Sequence, residues 1–573
     1  MKSDFSRFFF VLQKLVWVVY ALIYAFFLAR VALGTYARNY FFYWVLLVLF
    51  PLISLSKRFF YSFPKINFSR ARSLLFSKDL LAITFGMLLF SAFTLPNLNS
   101  WKYSVIGDEF AFREYAKEIL SGAHTDFFSA SNQYEFPALS SYFQAGVMKL
   151  FGSGNFGWRL SSWLVVLLSL PFLYFILRQL YSFQVALSGI LLLALCPFYA
   201  ISGYLGYNNS QAFFPILASM ACTLWAVRRN NLATFYVAGV LAGLGFYTFQ
   251  TAILAVVLAF PFTVGILSDK LPDVRGNFKK WMRSSFLFVC GVVVTALPVL
   301  IHIREYLGNI TTHTGQASTS TFFFKFGTTF LSFIFYRIGW HFIVGNPFLI
   351  TTSVLALVGM FVLLFKNQKG KNLYILATYT IVVFFTGILD PSPYYSITRT
   401  MMVIPWVTLF AAVGFCFLGE QLSFLVQRFS TISTKFLSVP VFVLLLGCLV
   451  SERLLREKEL EAQYRYTTLA QLVRLAQEFP QHRIVYVLNQ QKELALLEQV
   501  TDAYDFGSRL IGTRQLTDEM VQKSEMDSII VVKQDAEPVN SFSKDLDAFA
   551  FSLSSAEASL TVYSIGSCIQ LIH

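Results

Sequence analysis

The chain has 573 residues, 56% of them hydrophobic and only 13% charged, with a mean hydropathy of +0.60. A soluble domain carries about a quarter charged residues, so the composition excludes a soluble protein and reads as a multi-spanning membrane protein. The net charge of +14 does not imply a nucleic-acid partner, because the positive residues fall in loops between apolar runs. Of the six cysteines, five lie in or beside apolar runs and Cys568 lies in a polar region. There is no Cys-x-x-Cys pair or disulfide framework. The aromatic share of 18% suits lipid-facing helices with aromatic ends.

Met1–Arg7 is short and basic, and no small-residue cleavage site follows, so the first apolar run (about 8–33) is expected to be a retained span. A second span is expected at about 41–55. Lys57, Arg58, Lys65, Arg70, Arg72 and Lys78 then pass without an acid before Asp79, which marks the cytoplasmic side. A third span, about 80–95, delivers the chain to the outer face. The loop 97–158 is too long for a turn. Within it, Phe112, Tyr115, Ala116, Ile119 and Leu120 follow helical spacing, with Arg113, Glu114, Lys117 and Glu118 opposite. This predicts an amphipathic helix lying on the membrane. A second helix starts near Pro137, with a stripe of Leu139, Tyr142, Phe143, Val147, Leu150 and Phe151, and ends at Gly152.

Further spans are expected at about 159–178, 185–202, 210–227, 232–249, 250–267, 284–302, 346–366, 372–390, 399–419 and 437–453. Residues 329–345 are apolar but interrupted by Arg337, Gly339 and His341, which reads as re-entrant or interfacial. About thirteen crossings from a cytoplasmic N-terminus put the C-terminus outside. From about residue 451 the composition turns polar. Helices at 467–479 and 491–500, with strands at 483–488, 528–532 and 560–565, predict a small α/β domain. The expected organisation is thus an N-terminal pair of extra helices with a basic loop (1–79), a membrane catalytic domain (80–455) and an extracytoplasmic α/β domain (456–573).

Asp108, Glu109 and Glu135 stand beside the bilayer, where carboxylates are costly to desolvate and ask for a function. Each also has a plainer reading: a helix N-cap for Asp108, a first-turn acid for Glu109, a solvated loop acid for Glu135. The pattern of Gly107-Asp108-Glu109 opening the first large outer loop resembles the GT-C membrane glycosyltransferases. Tyr134-Glu135-Phe136-Pro137-Ala138-Leu139, Leu150-Phe151-Gly152 before Trp158-Arg159-Leu160, Gly243 to Gln250, and Asp390-Pro391 through Arg399 to Ile404-Pro405 extend the likeness. The nearest relatives look like protein O-mannosyltransferases and aminoarabinose transferases (the glycosyltransferase 39/83-like group). Phe136, Ala138 and Asn208-Asn209 depart from those relatives' patterns.

The resemblance implies an inverting transferase that moves a sugar from a polyprenyl-phosphate donor to a lipid, glycan or protein acceptor on the outer face. It implies Asp108 as base, with Glu109 tuning it. Arg399 is implied as the phosphate clamp, with Arg304, Glu135, Tyr394 and Tyr395 in the donor site. Arg159 reads as a helix-end anchor. No cofactor is expected to be obligatory; a divalent metal at Glu135, completed by His302 and His313, is the candidate metal site. The expected location is a bacterial or archaeal plasma membrane. A transporter or channel, a polysaccharide ligase and an oligosaccharyltransferase remain the alternatives.

Overall fold

The computed structural model describes residues 2–34, 39–55, 77–99, 107–123, 127–128, 138–229, 231–260, 274–302, 327, 329–331, 338–340, 343–345, 348–365, 369–388, 397–429, 434–464, 468–478, 480, 483–487, 491–513, 528–533, 553–554 and 559–565. Among them the fold is mostly helical, and the protein is an integral membrane protein. Among the described residues six helices are long and apolar enough to cross a membrane.

Helices α1 (Lys2–Ala32) and α2 (Tyr40–Leu55) precede α3 (Lys78–Thr94). Ser77 starts α3 by accepting from the Leu80 amide at 3.2 Å, which satisfies one of the free donors of the first turn. In the outer loop, α4 (Gly107–Ser121) and α5 (Leu139–Phe151) form where helical spacing predicts them. Gly152 ends α5 at a φ of 99°, a conformation that costs a side-chain-bearing residue dearly. Then come α6 (Asn155–Leu180), α7 (Phe183–Leu195), α8 (Pro197–Tyr204), α9 (Phe213–Arg229), α10 (Leu232–Leu244) and α11 (Val274–Leu300).

The expected span at 185–202 is bent by 57° between α7 and α8, because Pro197 cannot continue the amide ladder. Counting this pair as one span gives seven. Among the described residues, Tyr40–Ser54, Leu232–Tyr247 and Ile350–Phe365 are shorter apolar helices at places where spans are expected. The stretch 232–260 contains the 13-residue α10, two 3₁₀ turns and a six-residue helix. Where the sequence suggested a re-entrant or interfacial segment, two short strands, β1 (Ile338–Trp340) and β2 (Ile343–Gly345), pair antiparallel. Four longer helices follow: α12 (Ile350–Phe365), α13 (Lys369–Val383), α14 (Ile404–Phe429) and α15 (Thr434–Tyr464). Helix α15 runs unbroken through residue 455, so no change of element marks the expected domain boundary.

Helices α12 and α14 cross backbone to backbone. A Cβ added at Gly359 would stand 1.8 Å from the Phe410 carbonyl oxygen, and one at Gly414 2.0 Å from that of Leu355. Without a hydrophobic drive between helices in lipid, close approach of small residues is what holds such a pair. Gly359→Ala is therefore expected to force the helices apart and cost about 1–3 kcal/mol. A lower midpoint of thermal unfolding in detergent checks this.

The C-terminal segment has α16 (Thr468–Glu478), β3 (Arg483–Val487), α17 (Gln491–Ala503), β4 (Leu510–Thr513), β5 (Ser528–Lys533), β6 (Leu553–Ser554) and β7 (Ser559–Ile565). The sheet order is β4-β3-β5-β7-β6, with β3 parallel to both neighbours and β7 antiparallel to both of its own. Its core is shared with the outer loop. Phe110, Tyr115, Ala116 and Ile119 of α4 form one cluster with Leu472, Val473, Tyr486, Leu497 and Val500. The apolar stripe predicted to lie on the membrane therefore packs against the α/β segment.

The stripe predicted for α5 is split: Val147 is buried and Leu139 and Tyr142 pack on the core, but the rest of the stripe is not buried. Its buried face holds Ser140, Ser141, Gln144 and Ala145, while Phe143, Leu150 and Phe151 are exposed, Leu150 at 79%. The polar side chains have partners within: Gln144 Nε2 donates to the Gly206 carbonyl at 2.9 Å, and Asn208 Nδ2 donates to Ser140 Oγ at 2.6 Å. With these amide donors satisfied internally, the exposed apolar side chains of α5 are free to meet lipid.

Candidate active site at the outer loop

Helix α4 presents Glu109, Arg113 and Lys117 at intervals of four residues, one above another on a single face. Glu109 is fully buried. Its carboxylate accepts the Gly206 amide at 2.8 Å and pairs with Arg159 Nε at 3.3 Å, itself fully buried at the start of α6. Phe110 and Trp158 pack at 5.4 Å beside this pair, and Trp158 lies so close to Gly206 that a Cβ there would come within 2.2 Å of its ring. Burying two charges is favourable only when geometry and extra hydrogen bonds offset desolvation, and the Gly206 amide supplies one such bond. The pair thus ties α4, α6 and the loop after α8 together.

One turn on, Arg113 was expected on the outward polar face. It is 1% exposed instead: Nη1 bonds Asp502 Oδ2 at 2.6 Å and Nη2 donates to the Ser153 carbonyl at 2.8 Å. Lys117 Nζ meets the same Asp502 oxygen at 2.6 Å. The α/β segment covers this face, which is why a solvent-facing pattern ends up in an interface. Burial pushes the Asp502 carboxyl up, but the Lys117 and Arg113 hydrogen bonds outweigh it and hold the group below the ordinary carboxylate range. A depressed carboxylate contributes stability above its unfolded value, near 3.9, and loses it as pH falls through the lower folded value. The contact is therefore expected to hold from pH 7 to about 4 and loosen below that. Since Asp502 is half-exposed, the effect is small, at most about 1 kcal/mol. Hydrogen exchange of the α4 amides against pH measures it.

The loop 205–211 also interacts electrostatically with a basic residue far along the chain. Arg399, half-buried in the single turn Ile397–Thr400 before α14, lies within electrostatic reach of Tyr207. The Tyr207 ring in turn packs edge-on to Phe112 of α4 at 5.0 Å. Arg399 and the start of α4, 290 residues apart in sequence, thus converge on one loop. Nothing in the sequence singled out Tyr207, and Arg159, read as a helix-end anchor, is an ion-pair partner at the core of the site.

Asp108 is the second residue of α4; its side chain lies outside the described residues, as do Glu135, Arg304, His313, Tyr394 and Tyr395. His302 lies just after α11, its amide bonded to the Val299 carbonyl at 3.1 Å. Among the described residues no group of three His, Cys, Asp or Glu side chains could hold a metal. Two of the three candidate metal ligands fall outside that set.

Beside the site is a cavity of about 610 Å³ whose walls include Phe41, Trp44, Phe127, Tyr142, Gln211 and Phe214. Phe127 stacks between Phe41 at 4.8 Å and Tyr142 at 4.0 Å. The N-terminal helix α2 therefore supplies part of the wall.

Residues 136–303 match the family model described as dolichyl-phosphate-mannose-protein mannosyltransferase. Over 240 residues the chain is 29% identical to an undecaprenyl phosphate-alpha-4-amino-4-deoxy-L-arabinose arabinosyl transferase of Pseudomonas aeruginosa, covering 40% of this chain and 41% of the relative. The chain thus spans about two fifths of the length of the curated relatives it matches. Among solved structures it is similar to ArnT from Cupriavidus metallidurans bound to undecaprenyl phosphate, at 13% identity and a TM-score of 0.48 over 85% of this chain and 99% of that one. The apo form of the same protein gives 14% and 0.49, over 85% and 98%. The archaeal oligosaccharyltransferase AglB from Archaeoglobus fulgidus gives 10% and 0.46, over 79% and 69%. Over residues 136–303 the chain is related to the dolichyl-phosphate-mannose-protein mannosyltransferases, and its resemblance to the polyprenyl-phosphate-sugar-dependent membrane glycosyltransferases of the GT-C class stands.

Proposed function

We propose that the protein is an inverting glycosyltransferase with a GT-C-like fold that moves a sugar from a polyprenyl-phosphate donor to an acceptor hydroxyl or amine. The observation that carries this reading is the convergence of Arg399 and the start of α4 on the loop 205–211. The acceptor attacks the anomeric carbon, the bond from that carbon to the phosphate oxygen breaks, and the acceptor proton passes to Asp108. Arg399 holds the departing polyprenyl phosphate, a dianion that a guanidinium grips bidentately. Preorganised charge in a site shielded from water is the main source of such stabilisation. The first isoprene units run into the apolar cavity between α2, α5 and α9.

The basic loop after α2 supports a cytoplasmic N-terminus and a site on the outer face of a bacterial or archaeal plasma membrane. In this reading the chain divides into helices 1–79, a catalytic membrane part 80–455 and an extracytoplasmic α/β domain 456–573. A divalent metal at Glu135 is not required by the proposed steps. The acceptor is a lipid, a glycan or a protein; the relatives' names include both arabinosyl and protein mannosyl transfer.

The test is turnover of radiolabelled polyprenyl-phosphate sugars by the purified protein, read as free polyprenyl phosphate and glycosylated acceptor. Arg399→Gln is expected to lower kcat/KM about 10–150-fold, the loss of one hydrogen-bonded charge contact of about 1.5–3 kcal/mol. An unchanged kcat/KM would remove Arg399 from the donor site.

A further inference from the structure

The turn that closes α17 lies against the loop that carries the candidate base. Asp502 bonds both Arg113 and Lys117 of α4 at 2.6 Å. The Ala503 carbonyl approaches Gly154 so closely that a Cβ there would meet it at 3.3 Å. Tyr504 follows, and its hydroxyl is shut off from solvent beside Arg159 and Asn155, in electrostatic reach of both without ideal hydrogen-bond geometry to either. Asn155 in turn donates to the Leu98 carbonyl and to Asn99 Oδ1, each at 3.3 Å, at the end of α3. Three successive residues of the C-terminal segment thus face α4 and the start of α6, the two elements joined by the Glu109–Arg159 pair.

We infer that the Asp502-Ala503-Tyr504 turn is a positioning element for the transfer reaction: the α/β segment sets the orientation of α4, and so of Asp108, through the Glu109–Arg159 pair. This rests on the function proposed above. Tyr504 is a positioning residue, since it touches Arg159 and not the reacting groups. Its hydroxyl limits how far the guanidinium can rotate. That rotation moves Glu109, and Glu109 is the neighbour of Asp108 in the first turn of α4. The same geometry explains why the face of α4 bearing Glu109, Arg113 and Lys117 carries charge although Glu109 and Arg113 are buried. The charges index the helix against one partner surface, where an apolar face would tolerate sliding.

Misplacing a base by a fraction of an ångström costs rate before it costs donor affinity. Tyr504→Phe, which keeps the ring and removes the hydroxyl, is expected to lower kcat about fivefold to tenfold with the donor KM within twofold of wild type. Asp502→Asn is expected to do the same and to speed amide hydrogen exchange in residues 107–121. Protein amounts are normalised to the folded, monodisperse fraction. The assay includes Asp108→Asn: if that variant turns over like wild type, the proposed function fails, whatever Tyr504 does. If Asp108→Asn is inactive while Tyr504→Phe and Asp502→Asn both keep kcat within twofold, the positioning role is overturned and the function stands. A loss expressed entirely in KM overturns it as well.

Discussion

Asp108→Asn is expected to lower kcat by about 10²–10⁴-fold with little change in donor KM, because a general base acts in the transition state and contributes little to binding the ground state. Asparagine keeps the shape of the side chain but cannot take a proton. That separates catalysis from a first-turn role: an acid that merely favours the start of α4 would lose only about 0.3–1 kcal/mol of dipole interaction on becoming Asn, with kcat unchanged. Steady-state kinetics with a polyprenyl-phosphate sugar decide between the two. The variant should remain folded, with a thermal midpoint within a degree or two of wild type.

Glu109→Ala is expected to act through stability. It removes one member of a pair in which both side chains are fully buried, leaving the Arg159 charge enclosed and the Gly206 amide without its carboxylate. Breaking such a pair costs about 3–5 kcal/mol. The measurable results are a steep fall in folded yield and a lower unfolding midpoint. Arg159→Met alone is expected to destabilise for the converse reason. Combining Glu109→Gln with Arg159→Met should recover part of the loss, since two uncharged groups carry no ion-desolvation penalty. If both single variants are as stable as wild type, the pair does not hold the loop.

Much of the helical frame is legible in the sequence because lipid enforces long apolar runs and helical spacing is unmistakable in α4 and α5. The direction in which those helices turn is not. The pattern of α4 reads as apolar toward the membrane and polar toward water, yet its apolar face is covered by the cluster with Leu472 and Val500 and its polar face partly by Asp502. A hydrophobic pattern reports which residues avoid water and is silent on whether lipid or protein replaces it. The same ambiguity splits the stripe of α5, where Val147 and Gln144 face in but Phe143 and Leu150 face outward. Arg159 looked like an anchor because a basic residue near a helix end usually is one. Its pairing with Glu109 depends on a loop closure fifty residues long that spacing does not encode. Asp502 lies nearly 400 residues beyond its partners in α4, and Tyr504 about 350 beyond Arg159 and Asn155 in α6, and no local signal marks either. The regular spacing of Glu109, Arg113 and Lys117 was the one available hint that this face had a partner.

The most direct test of the central claim uses liposomes holding the purified protein, a polyprenyl-phosphate sugar labelled in the sugar, and a mixture of candidate acceptors. The account predicts that wild-type protein transfers label to an acceptor with equimolar release of polyprenyl phosphate, and that Asp108→Asn and Arg399→Gln each depress that release. Label that crosses the bilayer still attached to its lipid, with no polyprenyl phosphate released by wild type, would contradict it and point to transport.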